Sequence, residues 1–156
     1  MKDAKFTLEF TRHVLANSFG PDEDQAIFQR DSKDNLIFSA AWFFSMFTKA
    51  IEISHIRGIK ASDIHMNLGI NAPTELYKRR YGGDKYRTHE AIMPGTKVTF
   101  EAIVSDHVTQ SNLSVILEKA GKFVGLSPFG YRLGYGLFSV LHIEVSPSDS
   151  DAKDKK

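Results

Sequence analysis

GKFVGLSPFGYRLGYGLFSVLHIE, running from Gly121 to Glu144, joins a helical pattern to a strand pattern through a cluster of glycines. Gly121, Gly125, Gly130, Gly134 and Gly136 are five of the eleven glycines in the chain. Glycine carries the largest backbone entropy cost of any residue. A cluster therefore implies positive φ angles or a close approach of another backbone. Tyr131, Arg132 and Tyr135 stand between the glycines. From Gly125 to Gly136 the segment offers bare N–H groups, one cation and stackable rings, a combination suited to a phosphate chain that carries bases. The alternative is structural: the glycines resolve a tight strand entry, and the two tyrosines pack on a sheet.

Upstream of this segment, Leu113, Ile116, Leu117 and Ala120 repeat at helical spacing over about Ser111 to Ala120, with Gly121 in the C′ position. Downstream, Leu137 to Val145 is apolar on both sides, the pattern of a central strand covered on both faces. Lys97 to Ser105 alternates as a strand and follows a Met93-Pro94-Gly95-Thr96 turn. At the other end, Lys5 to Val14 alternates with Phe6, Leu8, Phe10 and Val14 on one side. Asn17 to Asp24 reads as a loop and Asp31 to Asn35 as a turn between two short strand arms. Ser39 then caps a helix over about Ala40 to Ser54, whose apolar face is Phe43, Phe44, Phe47, Ala50 and Ile51. Ile64 to Ile70 alternates as one further strand.

The order predicts an α+β fold, a ferredoxin-like or RRM-like β-α-β-β-α-β sandwich. Two helices cover one face of an antiparallel sheet and leave the other open. One domain is expected over residues 1–145, with a disordered polar tail at 146–156 (SPSDSDAKDKK). An insertion interrupts the unit. Thr74 to Glu90 (TELYKRRYGGDKYRTHE) loses apolar periodicity and reads as an exposed hairpin or loop. It carries Lys78, Arg79, Arg80, Lys85 and Arg87 with Tyr77, Tyr81 and Tyr86 interleaved. A charge run of this kind is either a solvated loop or a flap that grips phosphates and stacks bases.

Composition narrows the classes. The 156 residues are 42% hydrophobic and 25% charged, ordinary globular values. Cysteine is absent, which removes disulfide frameworks and thiolate metal sites and fits a reducing, cytoplasmic setting. Met1 to Phe10 has no signal-peptide h-region, and no apolar run reaches membrane-spanning length. The formal net charge is only +1, so nucleic-acid binding would have to use a local basic patch. No P-loop, zincin or nucleophile-elbow motif occurs. Asp22-Glu23-Asp24 is an acidic run of the kind that is usually solvated, and no metal or cofactor is expected.

Three segments together resemble the RAMP superfamily, the repeat-associated proteins of CRISPR systems. Gln29 to Ala50 resembles the entry into the first helix at a small residue. Thr88 to Val104 (THEAIMPGTKVTFEAIV) resembles the glutamate, Pro-Gly-Thr turn and outgoing strand. Gly125 to Gly136 (GLSPFGYRLGYG) resembles the family's glycine-rich loop of two Gly-hydrophobic-Gly triplets. Gly134-Tyr135-Gly136 keeps the second triplet. The first has Ser127 for its last glycine, and the spacer is six residues, Pro128 to Leu133, instead of about five. The resemblance implies RNA binding without catalysis, by a CRISPR-related or mobile-element protein. It could act alone or within a larger ribonucleoprotein. Gly130, Tyr131, Arg132, Gly134, Tyr135 and Gly136 would line the phosphate path with the five basic residues of the insertion. Single-stranded RNA or DNA is the expected ligand, other protein subunits are possible partners, and no membrane is involved.

Two alternatives stand beside it. Some family members cut RNA without metal, which requires a base for the 2′-hydroxyl and an acid for the leaving oxygen. Histidine suits both roles, and His13, His55 and His89 are the candidates here. The other alternative is a protein-docking module, such as a phage-encoded mimic or inhibitor of a CRISPR complex. The near-neutral charge favours it.

Overall fold

Alternation in the first strand becomes the two-sidedness of the main sheet. Ala4, Phe6, Leu8 and Phe10 are buried, while Asp3 and Lys5 face out. The computed structural model describes residues 1–19, 25–129 and 133–147. In chain order its elements are β1 (Lys2–Phe10), β2 (Val14–Leu15), β3 (Ser18–Phe19), β4 (Gln25–Ile27), β5 (Gln29–Arg30), β6 (Leu36–Ile37) and α1 (Ala40–Ser54). They continue with β7 (Ile64–Met66), β8 (Gly69–Ile70), β9 (Glu75–Gly82), β10 (Lys85–Ile92), β11 (Lys97–Val104), α2 (Gln110–Lys119) and β12 (Phe138–Val145).

The main sheet has the order β12-β1-β11-β7, with every neighbouring pair antiparallel. Reading β1, α1, β7, β11, α2 and β12 as one β-α-β-β-α-β unit, its strands lie fourth, first, third, second. That is the ferredoxin-like arrangement within an α+β fold. Both helices pack on the same face. Phe43, Met46, Phe47 and Ala50 of α1 are buried there with Leu113, Ile116 and Leu117 of α2. Phe100 of β11 lies at the centre, 5.7 Å from Phe6 and 5.6 Å from Phe43 between ring centroids. Replacing one such phenylalanine by alanine would cost roughly 3–5 kcal/mol.

Local signals set the ends of these elements. Ser39 caps α1, its Oγ accepting from the Ala41 N–H at 3.2 Å. Phe44, expected on the buried face, is instead exposed, because it sits one residue round the helix from Phe43. The predicted strand from Lys5 to Val14 ends at Phe10. The chain then turns, and Val14 enters a second sheet opposite Ile92. That sheet runs β2-β10-β4-β3 with β9 on β10, and β10 and β4 are parallel. The predicted Ile64–Ile70 strand divides. Its first half joins β11, and its second half joins a small sheet ordered β5-β6-β8.

The end of α2 differs from expectation. Gly121 does not stop the helix. The chain continues through a π turn, Ala120–Val124, and Gly125 closes it at φ +83°, its N–H donating to the Ala120 carbonyl at 2.7 Å. Gly121 is needed for proximity: a Cβ there would collide with the carbonyl and ring of Phe138. The last strand also differs. β12 lies at the edge of the sheet, not its centre, and it is half exposed. Its apolar appearance on both sides comes partly from Leu141, which falls where the register with β1 shifts and is 49% exposed. This bulge and the Gln110 side chain, which accepts from the Val145 N–H at 3.2 Å, blunt the free edge. None of the described helices is long and apolar enough to cross a membrane.

Candidate nucleic-acid interface

The basic insertion is a β-hairpin. β9 and β10 pair from Glu75–Ala91 outward to Gly82–Lys85, with Gly83 at φ +52° in the turn. Strand alternation then divides its charges between two faces. The register sets Tyr77 opposite His89 and Arg79 opposite Arg87 on one face. It sets Leu76 opposite Glu90, Lys78 opposite Thr88 and Arg80 opposite Tyr86 on the other. The sequence reading treated these cations as one patch; the pleat separates them.

The first face is locked to the glycine-rich segment by rings. His13 lies 4.2 Å from Tyr77 between centroids, Tyr77 6.3 Å from Tyr135, Tyr135 5.9 Å from Phe129, and Phe129 5.6 Å from His89. The Arg79 guanidinium sits 4.6 Å over the Phe129 ring, a cation–π contact. Its Nε donates to His89 Nε2 at 3.2 Å. On the other side of that imidazole, Nδ1 lies 2.6 Å from the Ala16 carbonyl oxygen, which can only accept. Nδ1 therefore carries the proton and Nε2 the lone pair. His89 is fully buried, and burial holds its pKa below the ordinary value despite the Ala16 contact; Arg79 and Arg87 push the same way. His13 is lowered by burial and by Arg12. Burial raises the Tyr135 phenol, as does its hydrogen bond with Tyr77.

The glycine-rich segment is pinned at both ends. The Leu126 N–H donates to the Gly136 carbonyl at 3.0 Å, and the Gly136 N–H donates to the His13 carbonyl at 2.8 Å. Gly136 holds φ +73°, and a Cβ there would strike the Leu126 carbonyl. The structural role of the glycines is thus present. Of the predicted site residues, Gly134, Tyr135 and Gly136 lie on this segment beside the hairpin. Gly130, Tyr131 and Arg132 lie outside the described residues, as does Asp22-Glu23-Asp24.

The second face of the hairpin is open. Leu76 is 62% and Tyr86 56% exposed, with Lys78 and Arg80 exposed beside them and Lys85 at the turn. The Arg80 Nε donates to the Gly83 carbonyl, which steadies the tip. Below this face Glu90 is nearly buried. It pairs with Arg30 and accepts from the Thr74 hydroxyl at 2.6 Å and the Phe28 N–H at 2.8 Å. Burial alone would raise its pKa; hydrogen bonds from Arg30, Thr74 and Phe28 reverse that and hold it below the ordinary carboxylate range.

The candidate histidines do not form an acid–base pair in these contacts. His89 has its lone pair on Arg79, His13 packs on Tyr77, and His55 is the left-handed residue that ends α1, at φ 56°. Sequence reasoning missed Phe129, the ring that receives Arg79. Its only signal was an aromatic residue between Pro128 and Gly130. It also missed the Arg30–Glu90 tie, since nothing in the sequence links positions sixty residues apart.

No family model and no curated protein matches the sequence. Among solved structures, the fold is similar to a chain in the cryo-EM structure of the Type III-B Cmr-beta bound to cognate target RNA. The likeness is one of fold. It has a TM-score of 0.58 at 14% identity and covers 94% of this chain and 61% of that one. This protein therefore spans a little under two thirds of the length of the chain it matches.

Proposed function

We propose that the protein binds single-stranded RNA as a RAMP-like subunit of a CRISPR-related ribonucleoprotein and does not itself cut it. One observation carries this reading: the basic hairpin and the glycine-rich segment, some fifty residues apart, interlock through Arg79, Tyr77, Phe129 and Tyr135. The hairpin that carries the cations and the segment that carries the positive-φ glycines thus form one unit, with Lys78, Arg80 and Tyr86 on the face of the hairpin turned away from the glycines. The likeness in fold to a chain of an RNA-bound Type III-B Cmr-beta and the three-segment resemblance to the RAMP superfamily point the same way. Arg79 and Tyr77 have a positioning role in this reading. The RNA meets Lys78, Arg80, Lys85 and Tyr86, with Arg132 and Tyr131 as contributors from the loop.

Filter binding of a labelled single-stranded RNA over a salt series tests it. Affinity should fall steeply with salt. Lys78→Ala with Arg80→Ala should weaken binding about tenfold and flatten the salt slope by about two charges. No binding at low salt would sink the proposal. The RNA should remain intact throughout in the presence of chelator; cleavage that a single histidine substitution abolishes would replace it with the endoribonuclease reading.

A further inference from the structure

The open face of the main sheet has a different chemistry, and its register maps it. One row across the strands reads Glu144, Lys5, Glu101 and Asn67; the next reads Ser146, Asp3, Ile103 and His65. These eight residues line a groove of about 570 Å³, the two rows forming its floor. Further along the strands lie Thr7 and Thr99, hydrogen-bonded at 2.9 Å, then Glu9 and Lys97. The face holds four carboxylates, Asp3, Glu9, Glu101 and Glu144, against two lysines, Lys5 and Lys97. None of its residues is a phenylalanine, tyrosine or tryptophan.

A phosphate chain gains nothing here, because it would meet net negative charge and no base-stacking ring. Lys5 cannot neutralise both of its register partners, Glu101 and Glu144. Glu144 is drawn below the ordinary carboxylate range by a hydrogen bond from His142 and by Lys5. Glu101 and Asp3 have no side-chain ion pair among the described residues. Ile103, 46% exposed between them, supplies an apolar surface on which the methylene stem of a lysine or arginine can lie.

We propose that this face docks an extended basic segment of a protein partner, whose lysine or arginine side chains pair with Asp3, Glu101 and Glu144. Glu101 and Glu144 stand two strand spacings apart, roughly 10 Å, within reach of side chains on one segment crossing the sheet. The surface is separate from the hairpin, and its role does not depend on RNA binding there.

The probe is a fluorescent decapeptide of alternating arginine and serine, followed by anisotropy with the intact protein. It should bind at low salt and weaken about tenfold when Glu101→Gln and Glu144→Gln are combined. Both residues are exposed and end in solvent, so the variant should fold, with an unchanged Tm to verify it. The variant should also keep its affinity for single-stranded RNA. Asp22→Asn, Glu23→Gln and Asp24→Asn, which neutralise the other acidic run, should leave peptide binding unchanged. Wild-type binding by the sheet variant, loss of binding in the acidic-run variant, no binding at low salt, or displacement of the peptide by oligouridine would each overturn the proposal.

Discussion

The hairpin side and the open sheet face are both built from alternating strands, yet they are held in place by opposite means. The sheet face rests on Phe6, Phe100 and Val98, a dry core that keeps its strands in register without help from the residues it displays. The hairpin has little core of its own beyond its base. Ring contacts to the glycine-rich segment and polar ties hold it, the ties running from Glu90 to Arg30, Thr74 and Phe28, and from His89 to Ala16 and Arg79. Its displayed residues and its supports are neighbours on the same strands. A surface carried by a core tolerates change; a surface carried by buried polar groups depends on each partner and on their protonation.

The largest expected effect tests that contrast directly. Glu90→Ala leaves Arg30 and the Phe28 N–H without their carboxylate and should cost about 3 kcal/mol, against a few tenths for Glu101→Ala on the open face. Thermal denaturation measures both. Equal losses would erase the distinction.

Acid sharpens it next. Glu90 has a folded pKa below its ordinary value, so its contribution is present above the ordinary glutamate pKa and is lost as pH falls through the lowered one. His89 also titrates below its ordinary value. The fold favours its neutral form, so that stability is complete above about pH 6.5 and declines as pH falls from there toward the lowered value. Both signs agree: the hairpin side should loosen on acidification. Amide hydrogen exchange at pH 7 and pH 5, a window that His89 enters and Glu90 does not, corrected for intrinsic rates, should show protection lost in β9 and β10 before β1 and β11. Uniform loss across both sheets would contradict it. The smallest effect lies on the open face: Lys5→Ala and Lys97→Ala should leave RNA affinity within about twofold, although each removes a cation. A drop matching that of Lys78→Ala would show that RNA crosses the sheet.

Much of the scaffold was legible because its signals are local. Ser39, the Phe43–Phe47–Ala50 spacing and the alternation from Lys97 to Val104 each reflect a period that one element imposes on its own sequence. The errors share a cause as well. Gly121 carried the right residue for a helix stop, but the constraint was the approach of Phe138, seventeen residues later. Leu137 to Val145 had the composition of a central strand, and only the pairing could reveal a bulge at Leu141 and an edge position. The candidate site was legible in its ingredients. Its division into two faces followed from the pairing of Arg79 with Arg87 and Arg80 with Tyr86, a register that composition does not contain.

The bulge at Leu141 and the Gln110 side chain over Val145 bear on how the molecule behaves in a crowd. A sheet ending in a long, flat strand invites another copy to extend it, and newly made chains would then polymerise strand upon strand. Here the longer border of the main sheet is kinked and partly capped, and the opposite border, β7, is only three residues long. Lateral growth of this sheet is discouraged from both directions. The main sheet is therefore a poor template for strand-by-strand addition of a second copy.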